Sequence, residues 1–339
     1  MPSIVFKEEI MKKLLAIVLC GIMVLSLSAC GSQPAAPAAE AAAPAAEAAA
    51  SDDAVKLGVP VYTMEHQFYI DLMGAVEDEC KKENVTLISD DSGYDAVKQI
   101  SLIENMVTQG VDAMIISAID PAGIVPTVQE AQSKGIKIIV EANELFDDNG
   151  EFVGDCFVGI NNYDAALLAG QEAGKAWKEQ HPDVKANIAV ISYPIEEACI
   201  QRENGFVDGF KEQVPDAEVV ASQNGEAVRD KAMSVMENIL TAHPEVNVAF
   251  GINDDSALGA YAAMQSRGIT SDAMVVGFDG TDDAVAAIKE GGIYFGDVVQ
   301  DGDAIGRGCV QAAKTLCGGG SVNQYVNIPS AFITIKDVQ

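Results

Sequence analysis

The sequence predicts an α/β protein of two similar lobes, each with a parallel sheet, and a cleft between them. Three observations carry this. Short apolar runs alternate with stretches of helical spacing along residues 54–339, the pattern of repeated βαβ units. A second series of the same kind begins at Asn162. Within it, Val246–Asp283 reads as two strand-then-helix units in a row, with Asn253 and Asp279 each just past the carboxyl end of a strand. Ligands of open α/β sheets bind there, close to positive helix N-termini. Asn and Asp are also good helix caps, so local chemistry leaves capping and ligand binding equally open.

In order, Val55–Val61 is the first strand, and Glu65–Tyr69 leads into a helix through Glu83. Val85–Ser89 is a strand. Asp95–Gln109 places Val97, Ile100, Ile103, Met106 and Val107 at helical spacing, and Gly110 ends it. Ala113–Ile116 is a strand and Pro121 opens a helix. Ile136–Val140 is a strand, Leu145–Asp155 an acidic insertion read as a surface loop, and Cys156–Ile160 a further strand. In the second series Asp164–Glu179 is a helix. Ile188–Ile191, Glu218–Ala221, Val246–Phe250, Met274–Phe278 and Tyr294–Val299 are strands with helices between. Asn253–Ser256 caps the helix Ala257–Met264, and Thr281-Asp282-Asp283 caps the next. Asp301–Leu316 is a late helix and Phe332–Ile335 a final strand. Small-molecule sites concentrate in clefts between two such lobes.

The N-terminal stretch is of another kind. Met11-Lys12-Lys13 and the apolar run Leu14–Leu27 precede Leu27-Ser28-Ala29-Cys30. This resembles the lipobox of bacterial lipoproteins, which implies that residues 1–30 are a signal peptide and that Cys30 is acylated. The run is short for a membrane span. Residues 31–53 repeat PAAEAAA and hold no large apolar side chain, so they cannot bury a core and read as a tether. The expected place is extracytoplasmic, on the cell membrane through the lipid anchor only.

Lys and Arg number 21 against 51 Asp and Glu, a net charge of −30. Such a surface repels phosphate backbones and argues against nucleic acid as a partner. Of seven cysteines, Cys20 and Cys30 lie in the leader. Cys80, Cys156, Cys199, Cys309 and Cys317 show no metal-ligand spacing and read as small buried hydrophobes, with one disulfide, Cys156 to Cys199, left open. There is no GxGxxG after a strand, no GxxxxGK[ST], no GxSxG and no HExxH. The three histidines are scattered, and no nucleophile, base and orienter assemble. The expectation is a monomeric, non-enzymatic chain without metal or cofactor.

Four patterns together carry a family resemblance: Asp95…Gln99…Ile103-Glu104…Gly110-Val111-Asp112-Ala113, the run Met236–Val246, Asn253-Asp254…Ala257-Leu258-Gly259-Ala260, and Val275-Val276-Gly277-Phe278-Asp279-Gly280. The chain resembles the ribose/galactose-type periplasmic sugar-binding proteins that serve ABC transporters, over nearly all of Lys56–Lys336. The resemblance implies two Rossmann-like lobes joined by three crossings, the type I periplasmic binding protein fold. One lobe is then 54–161 with 301–330, the other 162–300 with 331–339. It implies ligand contacts from Arg202 of Arg202-Glu203-Asn204-Gly205-Phe206, from Asn253 and Asp279, from the hinge residue Gln300, and from Phe68 stacking on an apolar sugar face. Phe68 also reads as a core residue and Arg202 as a surface helix charge.

Other positions depart from ribose binders. Glu65-His66-Gln67-Phe68 stands for N-x-F-F, Ser117 for an asparagine, and Ala142-Asn143 for Asp-Arg, with Glu141 just before; the second aromatic is replaced near Ala227. Glu65, Gln67, Ser117 and Asn143 complete the candidate set. A carboxylate of Glu65 facing the cleft needs a hydroxyl network, His66 or a positive ligand group; facing solvent it has no role. The expected ligand is a neutral sugar or polyol first and an amino-bearing one second, with ribose a poor fit, delivered to an ABC permease. A sensory ligand read by a chemoreceptor is compatible with this. A LacI-type effector domain shares the fold but needs a DNA-binding N-terminus, and this chain has a leader and an acidic surface instead.

Overall fold

A computed structural model of the chain describes residues 54–339. The leader with Cys30 and the tether lie outside the described residues. The first sheet contains β1 (Lys56–Val61), β2 (Thr86–Asp91), β3 (Ala113–Ser117), β4 (Lys137–Glu141), β5 (Cys156–Gly159) and β11 (Tyr325–Asn327). Its order is β11-β5-β4-β3-β1-β2 and all its pairings are parallel. The second contains β6 (Asn187–Ser192), β7 (Glu218–Asn224), β8 (Val248–Gly251), β9 (Met274–Asp279), β10 (Tyr294–Val299) and β12 (Ala331–Thr334). Its order is β12-β10-β9-β8-β6-β7, parallel except for β12 against β10.

Helices α1 (Gln67–Glu83), α2 (Ala96–Thr108) and α3 (Pro121–Ser133) alternate with strands of the first sheet. α4 (Asn162–Gln180), α5 (Glu197–Gln213), α6 (Arg229–Ala242), α7 (Asp254–Ser266) and α8 (Asp282–Glu290) alternate with those of the second. The chain passes between sheets after β5, after β10 and after β11. α9 (Gly302–Cys317) follows β10 and packs back on α1. A short α10 (Ile335–Val338) ends the chain.

β3 shows how side-chain alternation builds the core. Ala113 and Ile115 join Leu72 and Val76 of α1 and Ile305 and Val310 of α9. Met114 and Ile116 join Ile103 and Met106 of α2 and Ile124 and Val128 of α3. Both faces are covered, so the strand reads as an unbroken apolar run. At the strands' carboxyl ends, side-chain caps start the helices: Asp95, Asp120, Asn161, Asn253, Thr281 and Asp301 each accept from a backbone N–H of the following turn. Each cap satisfies an otherwise orphaned donor and holds its strand-to-helix turn in place.

Three details differ from the sequence reading. The 145–155 segment is no plain surface loop: Phe146 and Phe152 form an antiparallel bridge, and Leu145 and Val153 are buried in the core. β11 was not foreseen, being three residues long after a glycine run. Ile335 opens α10 rather than closing a strand. The disulfide left open is not formed: Cys156 and Cys199 are free thiols, one on β5 and the other on α5. Burial pushes the Cys156 thiol up to about 11.

Candidate functional site

The carboxyl ends of both sheets face one cleft, lined by side chains from both, the kind of place where small-molecule sites concentrate. Asp279, the last residue of β9, is 5% exposed. Its φ of 138° lies where a residue other than glycine is strained. Asp279 Oδ1 accepts from Gln300 Nε2 at 2.7 Å and more weakly from an Arg202 terminal nitrogen at 3.5 Å. Oδ2 is buried with no hydrogen-bond partner among the described residues. Burial pushes this carboxyl up, opposed by the charge of Arg202.

Arg202 comes from α5 and is nearly buried. Its Nε donates to Asn162 Oδ1 at 2.8 Å, a terminal nitrogen to the Ile252 carbonyl at 3.1 Å, and its guanidinium lies 4.1 Å from the Phe278 ring centroid. Stacking and committed donors fix its fork geometry. Asn253 both caps and lines the cleft. Its Oδ1 accepts from Ser256 N–H, and its Nδ2 donates to the Ala227 carbonyl and faces His66 Nε2 at 3.1 Å. With the amide so oriented, His66 Nε2 is the acceptor and the ring proton sits on Nδ1. That Nδ1 is buried without a partner among the described residues. His66 precedes α1, on the first lobe, and Nε2 also lies 3.8 Å from Asp279 Oδ2 and 4.0 Å from Asp255 Oδ2 on the second.

Behind Asp279 lies a second buried acid pair. Asp254 Oδ2 accepts from Thr281 N–H at 2.7 Å. Asp297 accepts from Gly280 N–H at 3.0 Å and from the Tyr294 hydroxyl at 2.9 Å. The two carboxyls face each other across Gly277, where a Cβ would meet Asp297 Oδ2 at 2.2 Å and Asp254 Oδ1 at 2.8 Å. Burial pushes both up, Asp297 to about 7, so the pair shares a retained proton. It grips the backbone on the far side of Asp279 and is not part of the cleft lining.

Of the residues singled out in the sequence, Phe68, Arg202, Asn253, Asp279 and Gln300 line the cleft. Phe68 also packs edge-on to Tyr69 in the core. Ser117 and Asn143 are buried beside it. Ser117 Oγ donates to Glu141 Oε2, and burial pushes the Glu141 carboxyl up to about 7. Asn143 Nδ2 donates to Glu196 Oε1 at 2.9 Å and its Oδ1 accepts from Ala198 N–H at 3.3 Å, so it bridges the lobes. Glu65 and Gln67 are exposed and do not line the cleft; the Gln67 amide donates to Asp71. Those two positions correct the expectation of cleft-facing side chains, because the turn into α1 points His66 and Phe68 inward instead.

Sequence reasoning missed Tyr62, Tyr69, Tyr94, Tyr193, Glu196 and Cys199, which complete much of the lining. Tyr62 follows β1, Tyr94 lies past β2, and Tyr193 follows β6. The strand-end rule that flagged Asn253 and Asp279 would have reached all three. Among the described residues no group of three or more His, Cys, Asp or Glu side chains could hold a metal ion, and no helix is long and apolar enough to cross a membrane.

Residues 57–321 match the periplasmic binding protein domain. The ribose import binding protein of Bacillus subtilis (strain 168) is 30% identical over 281 residues, covering 83% of this chain and 87% of that protein. A xylitol-binding protein of Mycolicibacterium smegmatis is 29% identical, covering 87% of this chain and 77% of its own length. Among solved structures, a Bacillus halodurans ABC transporter solute-binding protein with bound myo-inositol aligns at a TM-score of 0.76 and 28% identity, over 85% of this chain and 98% of that one. With two mostly parallel α/β lobes and a polar cleft at their strand ends, the chain belongs to the periplasmic binding protein family.

Proposed function

We propose that this chain is an extracytoplasmic solute-binding protein that captures a sugar or polyol between its lobes and hands it to an ABC importer. The observation that carries the reading is Asp279: a strained, buried carboxylate in the cleft lining, with one oxygen held by Gln300 and Arg202 and the other without a hydrogen-bond partner among the described residues. A hydroxyl donor supplied by the ligand would satisfy that oxygen, and charge-assisted hydrogen bonds of this kind are the strong ones. The relatives that bind ribose and xylitol, and the structure holding myo-inositol, support a polyhydroxylated ligand class. Domain boundaries at 54–161 with 301–330 and 162–300 with 331–339, action as a monomer, and anchoring through acylated Cys30 belong to the same proposal. The last rests on the Leu27–Cys30 motif behind its apolar run.

Calorimetry against ribose, xylitol, myo-inositol and a wider sugar and polyol panel tests it. At least one member is expected to bind, and Asp279→Ala is expected to cost about 2–5 kcal/mol of binding free energy, because Arg202 loses its charged partner and a ligand hydroxyl loses its acceptor. Full affinity in Asp279→Ala would remove this residue from the site.

A further inference from the structure

The cleft is chemically lopsided. Asp279, Arg202, Asn253 and Gln300 form a hydrogen-bonding set in which the acid is already matched by a guanidinium. A second acid, Glu196, just before α5, also lines the cleft. Its Oε1 accepts from the Asn143 amide and its Oε2 lies 3.8 Å from Cys199 Sγ, a weak donor. Among the described residues no Lys, Arg or His is recorded within ion-pair distance of it, and Arg202 is the one permanent cation in the lining. Around Glu196 are aromatic rings. Burial pushes up the hydroxyls of Tyr62, Tyr94 and Tyr193, and the negative charge of Glu196 adds to each, after those of Asp255 and Glu65 for Tyr94. Tyr62 stacks on Tyr69 at 4.9 Å between ring centroids and takes Tyr94 edge-on at 5.5 Å. An uncompensated carboxylate among ring faces is the chemistry that holds ammonium groups, by charge and by attraction to the rings. It is a poor match to a wholly neutral sugar, which leaves a half-buried charge without a counterion.

From this lopsidedness we infer that the ligand carries a basic nitrogen, seated between Glu196 and the tyrosines, with its hydroxyls turned to Asp279, Asn253 and Gln300. This rests on the sugar-and-polyol reading and narrows it to aminated or methylaminated members of that class.

Matched pairs test it, each differing only by an amino group in place of one hydroxyl: glucamine against sorbitol, glucosamine against glucose, and an inosamine of myo configuration against myo-inositol. Affinities are measured by calorimetry on wild type, Glu196→Gln, Tyr193→Leu and Asp279→Ala, with the unliganded melting temperature of each as the folding control. Glutamine keeps the size of Glu196 and the acceptor for Asn143 and removes only the charge. The wild type is expected to prefer the aminated member of at least one pair by about tenfold or more, the size of one hydrogen bond to a charged group. Glu196→Gln is expected to erase most of that preference, the aminated member losing much more affinity than its neutral counterpart, and Tyr193→Leu to reduce it. Equal affinity within every pair that binds, or an equal loss for both members in Glu196→Gln, would overturn the inference. If a neutral member then still binds and Asp279→Ala abolishes that binding, the broader reading stands without it. No binding by any member of the pairs, while ribose, xylitol or another neutral polyol binds, would overturn the inference alone; no binding by any of these would overturn both.

Discussion

Asp297 lies one layer behind the ligand surface, and its behaviour follows from burial alone. Its carboxyl is fully buried, faces Asp254, and is raised from 3.8 to about 7. The folded protein therefore holds a proton that the unfolded chain has released at any pH between those values. By linkage, stability contributed at this position is complete below about pH 4, falls as pH rises toward about 7, and levels off above it. Asn imitates the protonated acid: its amide nitrogen in place of Oδ2 can donate to Asp254 while its oxygen still accepts from the Gly280 N–H. Asp297→Asn is thus expected to flatten the difference in melting temperature between pH 5 and pH 8 relative to wild type. An unchanged pH profile would mean that no proton is held there. Nothing local in the sequence announces this pair. Asp297 sits inside an otherwise apolar strand, and its partner Asp254 reads as a helix-start residue; only the adjacency of β8, β9 and β10 brings them together.

Elements were legible where their cause is local. Caps at Asn253 and Thr281, Pro121 at a helix start, and the apolar run of β3 all have short-range reasons, and they recur in the fold. What could not be read is which elements touch. α4 and α5 approach so closely that a Cβ on Gly209 would lie 2.1 Å from the Leu167 carbonyl oxygen and one on Gly170 2.2 Å from that of Phe206. In the sequence these glycines look like weak points inside helices; in the fold they allow two backbones into contact. The contact matters for function because α5 carries Arg202 and α4 begins at Asn162, which holds the guanidinium. Gly209→Ala is expected to lower stability by about 1–3 kcal/mol through overpacking, measured by denaturant titration, despite alanine's better helix propensity. A stabilised variant would show that the helices can part without cost.

At the scale of the whole molecule, His66 and Asn143 reach from the first lobe to the second at the cleft. His66 meets Asn253, and Asn143 meets Glu196 and the Ala198 N–H. These contacts hold the lobes together about a cleft lined from both sides, the arrangement of a closed binding protein. Hinge closure around ligand is established for periplasmic binding proteins as a class. A ligand can drive it here only by binding the closed arrangement better than an open one. The bridges add to the same equilibrium: weakening one lowers the closed fraction in the unliganded protein, and apparent affinity falls by that fraction. Asn143→Ala is the cleaner probe, since Asn143 is not among the cleft-lining residues. Small-angle scattering is expected to give a smaller radius of gyration for wild type with a saturating ligand than without. For Asn143→Ala it should give a larger unliganded radius than wild type, a weaker apparent affinity, and the same radius once saturated. A radius that does not change when a tightly bound ligand saturates the protein would argue that the cleft fills without closing. An unliganded Asn143→Ala radius equal to wild type would argue that this bridge does not bias the lobes.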